Sequence, residues 1–264
     1  MTEILGYVGA LVIGIVLGLI GGGGSILTVP VLVYLLYVDP VVATAYSLFV
    51  VGVSSLVGAL RNIQKRLVDF RTAIVFSVPA FMAVYATRKY LVPAIPDELF
   101  SVGSFLMTKD VGIMVFFAII MLLASYSMIW GKCKHCDDDD AKVRYNYPLI
   151  VLEGLVVGVL TGIVGAGGGF LIIPALVMLA KLPIKKAVAT SLLIIAIKSL
   201  IGFIGDVQNM EIDWAFLLKF TALSVIGIFI GIWLNRFIEG SKLKKGFGWF
   251  VVAMAVYILW KELG

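Results

Sequence analysis

Gly18-Leu-Ile-Gly-Gly-Gly-Gly-Ser25, closed by Pro30, and Gly162-Ile-Val-Gly-Ala-Gly-Gly-Gly169, closed by Pro174, are two copies of one stretch, 144 residues apart and each set in apolar sequence. Glycine runs of this kind interrupt helices. In hydrocarbon the backbone groups they free have no water to bond, so such a break persists only where protein or a wet cavity surrounds it. Glycine also lets backbone approach a ligand closely.

The setting is a membrane. With 61% hydrophobic and only 14% charged residues over 264 positions, and a mean hydropathy of +1.09, the chain carries more apolar surface than a soluble core hides. Met1-Thr-Glu3 runs straight into apolar residues without the basic stretch or cleavage site of a secretory signal, so the first segment is expected to be retained. A net charge of +5 comes from short basic clusters flanking the apolar spans. They report topology rather than a nucleic-acid surface.

Sliding the sequence on itself by 144 matches Leu11–Arg71 to Leu155–Ala215 without a gap, with 21 identities in 61 positions, among them Gly14, Gly18, Pro30, Ser47, Ser55, Gly58, Gln64 and Asp69. This is a duplication, which in a membrane protein favours a repeat-built transporter. Residues 1–130 form the first membrane repeat and 148–264 the second, joined by the charged linker 131–147. Apolar segments are expected near Ile4–Ile20, Ile26–Val38, Val41–Leu60, Thr72–Val92 and Ser104–Trp130. They recur near Leu149–Val164, Phe170–Leu182, Ala187–Ile204, Trp214–Ile238 and Phe247–Trp260. The arms beside each glycine run hold about 13 to 17 residues, or about 20–25 Å of helix against roughly 30 Å of hydrocarbon, so either arm alone is short for a span.

Charges at duplicated loops have opposite sign. Asp39 faces Lys181, Lys185 and Lys186; Arg61, Lys65, Arg66 and Arg71 face Asp206, Glu211 and Asp213; a mixed third loop with Arg88, Lys89, Asp97 and Glu98 faces Arg236, Lys242, Lys244 and Lys245. Two halves inserted upside down relative to each other give this pattern, with the linker cytoplasmic and both termini outside. For that topology to close, each glycine-interrupted segment must return to the side it entered from, as a helical hairpin.

The helices that begin near Ser25 and Gly169 would aim unpaired N–H groups inward, an arrangement that favours anions; the competing reading is that the glycines only permit tight packing. A polar stripe, Thr44, Ser47, Ser54 and Gly58, recurs as Val188, Ser191, Lys198 and Gly202 on one helix face. Lys198 lies deep in Ile194–Ile201, where an unpaired ammonium is costly; the alternative is that it snorkels to the interface. Lys219 sits nearer a loop. The carboxylates cluster in loops or at span ends, Glu153 reads as interfacial, and the single histidine, His135, is in the linker, so the polar inventory suits an anion better than a cation. Asp69 and Asp213, like Gln64 and Gln208, are expected to shape loops by capping. Cys133-Lys-His-Cys136 has a spacing that binds metal or cycles as a thiol pair, but there is no second pair, and a solvated linker is the simpler account.

The duplicated motif Gly18-x-x-Gly-Gly-Gly-Gly-x-x-x-x-x-Pro30 and Gly162-x-x-Gly-Ala-Gly-Gly-x-x-x-x-x-Pro174, the Ala189–Leu193 stretch, and the segments after Val68-Asp-Phe and Ile212-Asp-Trp resemble the TauE/SafE sulfite exporter family over both halves. That resemblance implies a polytopic inner-membrane carrier of sulfur-containing oxyanions such as sulfite, sulfoacetate or related organosulfonates. Gln64 and Gln208 stand where many relatives have histidine, and the Cys-Lys-His-Cys linker also departs from the family pattern.

The expected molecule is therefore an all-α polytopic membrane protein of two inverted repeats, about five helical segments each, with one glycine-interrupted hairpin per repeat and the two glycine turns facing one another at a central site. It is not an enzyme, and it exports its anion by alternating access. Substrate contacts are expected from Gly21, Gly22, Gly23, Gly24 and Ser25, from Gly165, Ala166, Gly167, Gly168 and Gly169, and from Ser47, Ser54, Ser191 and Lys198. No metal and no cofactor is expected. The partners are a small anionic substrate and the lipid bilayer, with no nucleic acid and a homodimer left open. A passive anion channel and a membrane thiol-redox protein acting through Cys133 and Cys136 are the competing functions.

Overall fold

The computed structural model describes residues 2–96, 98–102, 105–130, 147–164, 172–173, 176, 182, 184–235 and 240–263. Helix α1 (Thr2–Ile20) is followed by a return arm made of a 3-10 stretch Gly22–Leu27, a helical turn Thr28–Pro30 and a π-helical stretch Val31–Leu35. Then come α2 (Pro40–Gln64) and α3 (Phe70–Ala86), the latter continuing through Thr87–Leu91 to Val92–Ala94. Strands β1 (Glu98–Val102) and β2 (Phe105–Thr108) form a short antiparallel hairpin before α4 (Lys109–Trp130). The second half supplies α5 (Tyr147–Val164), α6 (Ile184–Val207), α7 (Trp214–Leu234) and α8 (Gly240–Leu263). Among the described residues, four helices are long and apolar enough to cross a membrane: Pro40–Gln64, Phe70–Ala94, Lys186–Val207 and Trp214–Leu234. Among the described residues the architecture is helical apart from the β-hairpin, whose Phe105–Thr108 strand lies where the sequence reading starts the last apolar helix of the first half.

The chain reverses at Gly21. Its φ of 75° lies where side-chain-bearing residues are strained, and the return arm then runs back along α1, with Gly24 against Ile13, Val16 and Leu17, Val31 against Gly9, and Leu36 against Gly6. The first glycine run is thus the bend of a helical hairpin. Helix α1 has 19 residues, about 28 Å of helix, and its apolar part, Leu5–Ile20, is shorter than the four spanning helices.

Side-chain contacts set the helix directions. On α2 and α6, Leu48 meets Gly202, Gly52 meets Leu200 and Gly58 meets Leu192, so the two run antiparallel and cross near residues 53 and 197. Helices α1 and α7 run parallel, Gly14 against Gly227 and Gly18 against Gly231; α5 and α3 do likewise, Gly158 against Ala83 and Gly162 against Thr87. Shifting either pair by 144 gives the other pair. The same holds for Gly58–Leu192 and Gly202–Leu48, and for two loop anchors: Asp69 donates its N–H to Thr190 Oγ1 at 2.9 Å, and Asp213 donates its N–H to the Tyr46 hydroxyl at 2.8 Å. Both aspartates cap the helix that follows, accepting from Thr72 N and Phe216 N, as their sequence positions suggest.

One charged residue departs from the sequence reading. Arg88, read as part of a loop, is fully buried inside the continuation of α3, where it meets Asp206 of α6. Ser54 on α2 bonds Ser224 on α7, and Ser224 lies against Gly14. Gly21 packs on Val188 and Ser191 at the start of α6, and on Ile173.

Candidate functional site

The polar stripe of α6 carries Lys198 next to the crossing with α2. Its side chain is fully buried and donates to Thr161 Oγ1 of α5 at 3.0 Å. It does not snorkel. Among the described residues no carboxylate pairs with it, so an ammonium with spare donors stands near mid-bundle. At the duplicated position the other half has Ser54, which instead donates to Ser224 at 2.9 Å, a neutral pair that satisfies itself.

The remaining expected contacts divide by what their hydroxyls already do. Ser25 donates to the carbonyl of Gly22 at 2.7 Å and Ser191 to that of Val188 at 2.8 Å, each bonding back to its own helical turn. Ser47 is fully buried and its hydroxyl has no partner among the described residues. Gly21, Gly22 and Gly24 are buried, and the return arm starts at Gly22 with no side chain capping it. Gly165, Ala166, Gly167, Gly168 and Gly169 lie outside the described residues, as do Cys133, His135 and Cys136. Gln64, Gln208 and Lys219 are exposed. Among the described residues no group of His, Cys, Asp and Glu could hold a metal ion.

Sequence reading missed the buried pair near one end of the bundle. Arg88 Nη1 lies 3.5 Å from Asp206 Oδ1 and donates to Thr44 Oγ1 at 2.9 Å. Thr87, beside it, packs on Gly162 in the last described turn of α5. Lys198, through Thr161, and Thr87, next to Arg88, both touch the stretch of α5 that leads toward the second glycine run. The available signal was Thr44, a polar residue on the buried stripe of α2, but its partner lies 44 residues away. A concavity of about 320 Å³ beside this region is lined by Ala86, Thr87, Tyr90, Leu91 and Ala94, an apolar wall rather than a donor set.

Comparison with known proteins bears on this geometry over almost the whole chain. The family model described as Sulfite exporter TauE/SafE matches residues 7–258. A "Probable membrane transporter protein" of Xylella fastidiosa (strain 9a5c) is 26% identical over 255 residues, 95% of this chain and 92% of that protein. YunE of Bacillus subtilis (strain 168), also named a probable membrane transporter protein, is 31% identical over 258 residues, 89% of each. MJ0441 of Methanocaldococcus jannaschii, named likewise, is 34% identical over 117 residues, 42% of this chain and 44% of that protein. No solved structure matches. The family and these names are those of multi-pass membrane transporters, not of enzymes.

Proposed function

Because the chain belongs to the TauE/SafE sulfite exporter family, we propose that this membrane transporter is a secondary carrier that exports sulfur-containing oxyanions, sulfite or organosulfonates, across the inner membrane by alternating access. The observation that carries the reading is Lys198: a fully buried cation near mid-bundle whose only described partner is the neutral Thr161. Leaving a charge in that state costs several kcal/mol, and an anion offsets the cost. Ser47, with its idle and fully buried hydroxyl, is a further donor.

The two halves form inverted repeats. The antiparallel crossing of the duplicated helices α2 and α6 supports this, as do the contacts related by a shift of 144. A two-fold axis that reverses a spanning helix lies in the membrane plane. The charge pattern then sets the linker, Lys181–Lys186 and Arg236–Lys245 in the cytoplasm. Transport rocks one half against the other about the α2/α6 crossing.

Uptake of labelled sulfite into proteoliposomes tests the function, in competition with sulfoacetate, thiosulfate and sulfate and with or without a pH gradient. A carrier gives saturable uptake that is accelerated by unlabelled sulfite on the far side. Flux that neither saturates nor shows counter-transport means a channel, and no flux of any of these anions overturns the reading.

A further inference from the structure

Arg88 is buried with half of its guanidinium unused. Nη1 takes both contacts, the Thr44 hydroxyl at 2.9 Å and Asp206 Oδ1 at 3.5 Å. Among the described residues Nε and Nη2 have no hydrogen-bond partner, and neither has Asp206 Oδ2. Arg88 is 0% and Asp206 2% exposed.

Nε and Nη2 lie side by side along one edge of the planar guanidinium, and that edge presents two parallel N–H groups to two oxygens of one anion. In a settled structural ion pair the carboxylate occupies such an edge and both its oxygens are engaged. Here the carboxylate touches a single nitrogen, at a distance longer than a charge-assisted hydrogen bond. Buried donors left idle carry a desolvation penalty that the fold has no structural reason to keep. Ser47, one turn from Thr44 on the same face of α2, adds a second idle, fully buried hydroxyl.

We infer that the Nε/Nη2 edge of Arg88 is an oxyanion-binding site, distinct from Lys198, with Asp206 as the counter-charge that steadies the guanidinium when the site is empty. The inference rests on the reading that this chain carries oxyanions, and it names the chemistry of the ligand: sulfite or sulfonate, with at least two oxygens free to bond in one plane. Lys198 is near the crossing of α2 and α6. Asp206 is eight residues further along α6, about 12 Å of helix. The anion path then has one cation near its middle and a forked one toward its end, on the side where α6 finishes. An anion moving between them is never far from a positive charge, and Asp206 competes with it at the outer position, which favours release. The position equivalent to Arg88 in the other half is Ile232, so the second cation belongs to one end only.

The test uses the purified full-length protein, its melting temperature read against rising sodium sulfite, methanesulfonate and sulfate, with chloride as the ionic-strength control. Arg88→Lys keeps the charge facing Asp206 but loses the fork, and we expect it to need at least about tenfold more anion for the same shift. Asp206→Asn removes the competitor, and its shift should come at lower concentration than in the wild type. Arg88→Lys titrating like the wild type overturns the inference. If Arg88→Lys does not fold, Asp206→Asn decides, and an unchanged or weakened titration overturns it. Wild-type protein stabilised by none of these anions removes both this site and the carrier reading. Binding without flux in proteoliposomes removes the carrier reading alone.

Discussion

At the residue scale, Lys198 is a lysine buried completely in the interior of the bundle. Lys198 stands where the other half has Ser54, and its ammonium is held by a neutral hydroxyl. Replacing a buried, uncompensated charge by an apolar side chain of similar length is neutral or stabilising. Lys198→Met should therefore raise the ligand-free melting temperature while weakening the stabilisation that sulfite gives; a variant that melts lower and responds to sulfite as the wild type does contradicts the assignment. Gly21 makes the opposite case. With φ at 75° and Val188 against it, Gly21→Ala should cost about 1–3 kcal/mol through backbone strain, read as a lower melting temperature. Trimming Val188 to alanine should not restore it, since the strain lies in φ rather than in the contact. Sequence reading found Lys198 and Gly21 because each breaks a local pattern. It did not find Arg88, since an Arg-Lys pair at the end of an apolar window looks like a loop until Asp206, 118 residues later, is brought against it.

At the element scale, duplicated residues do duplicated work. Asp69 and Asp213 cap α3 and α7 and anchor to Thr190 and Tyr46, which are themselves duplicated positions. Asp69→Ala and Asp213→Ala should each cost about 1 kcal/mol, by matching drops in melting temperature; a large cost for one and none for the other would mean that the two loops are not equivalent. These caps were legible, because a helix start writes its signal within three residues. The hairpin bend was also legible from four consecutive glycines. The β-hairpin between Pro96 and α4 was not, since its aromatic and aliphatic residues fit a strand as well as a membrane helix.

At the scale of the whole molecule, the charge signs of duplicated loops and the antiparallel crossing of α2 and α6 both support the proposed inverted arrangement. Single cysteines at Gln64 and Gln208, both exposed, in a chain whose Cys133 and Cys136 are serine, should be labelled by an impermeant reagent from opposite sides of the membrane. Labelling from one side would make the halves parallel. Gly21, the bend of the first hairpin, lies against the start of α6 and against Ile173, while the second glycine run lies outside the described residues. Next to the crossing of α2 and α6 is Lys198.

That residue is also where the account is most directly tested. Equilibrium binding of labelled sulfite to the purified protein should fall at least about tenfold in Lys198→Gln, in line with the loss of a hydrogen bond to a charged group, and should be unchanged in Lys219→Gln, whose side chain is exposed. Equal binding by the two variants would contradict it.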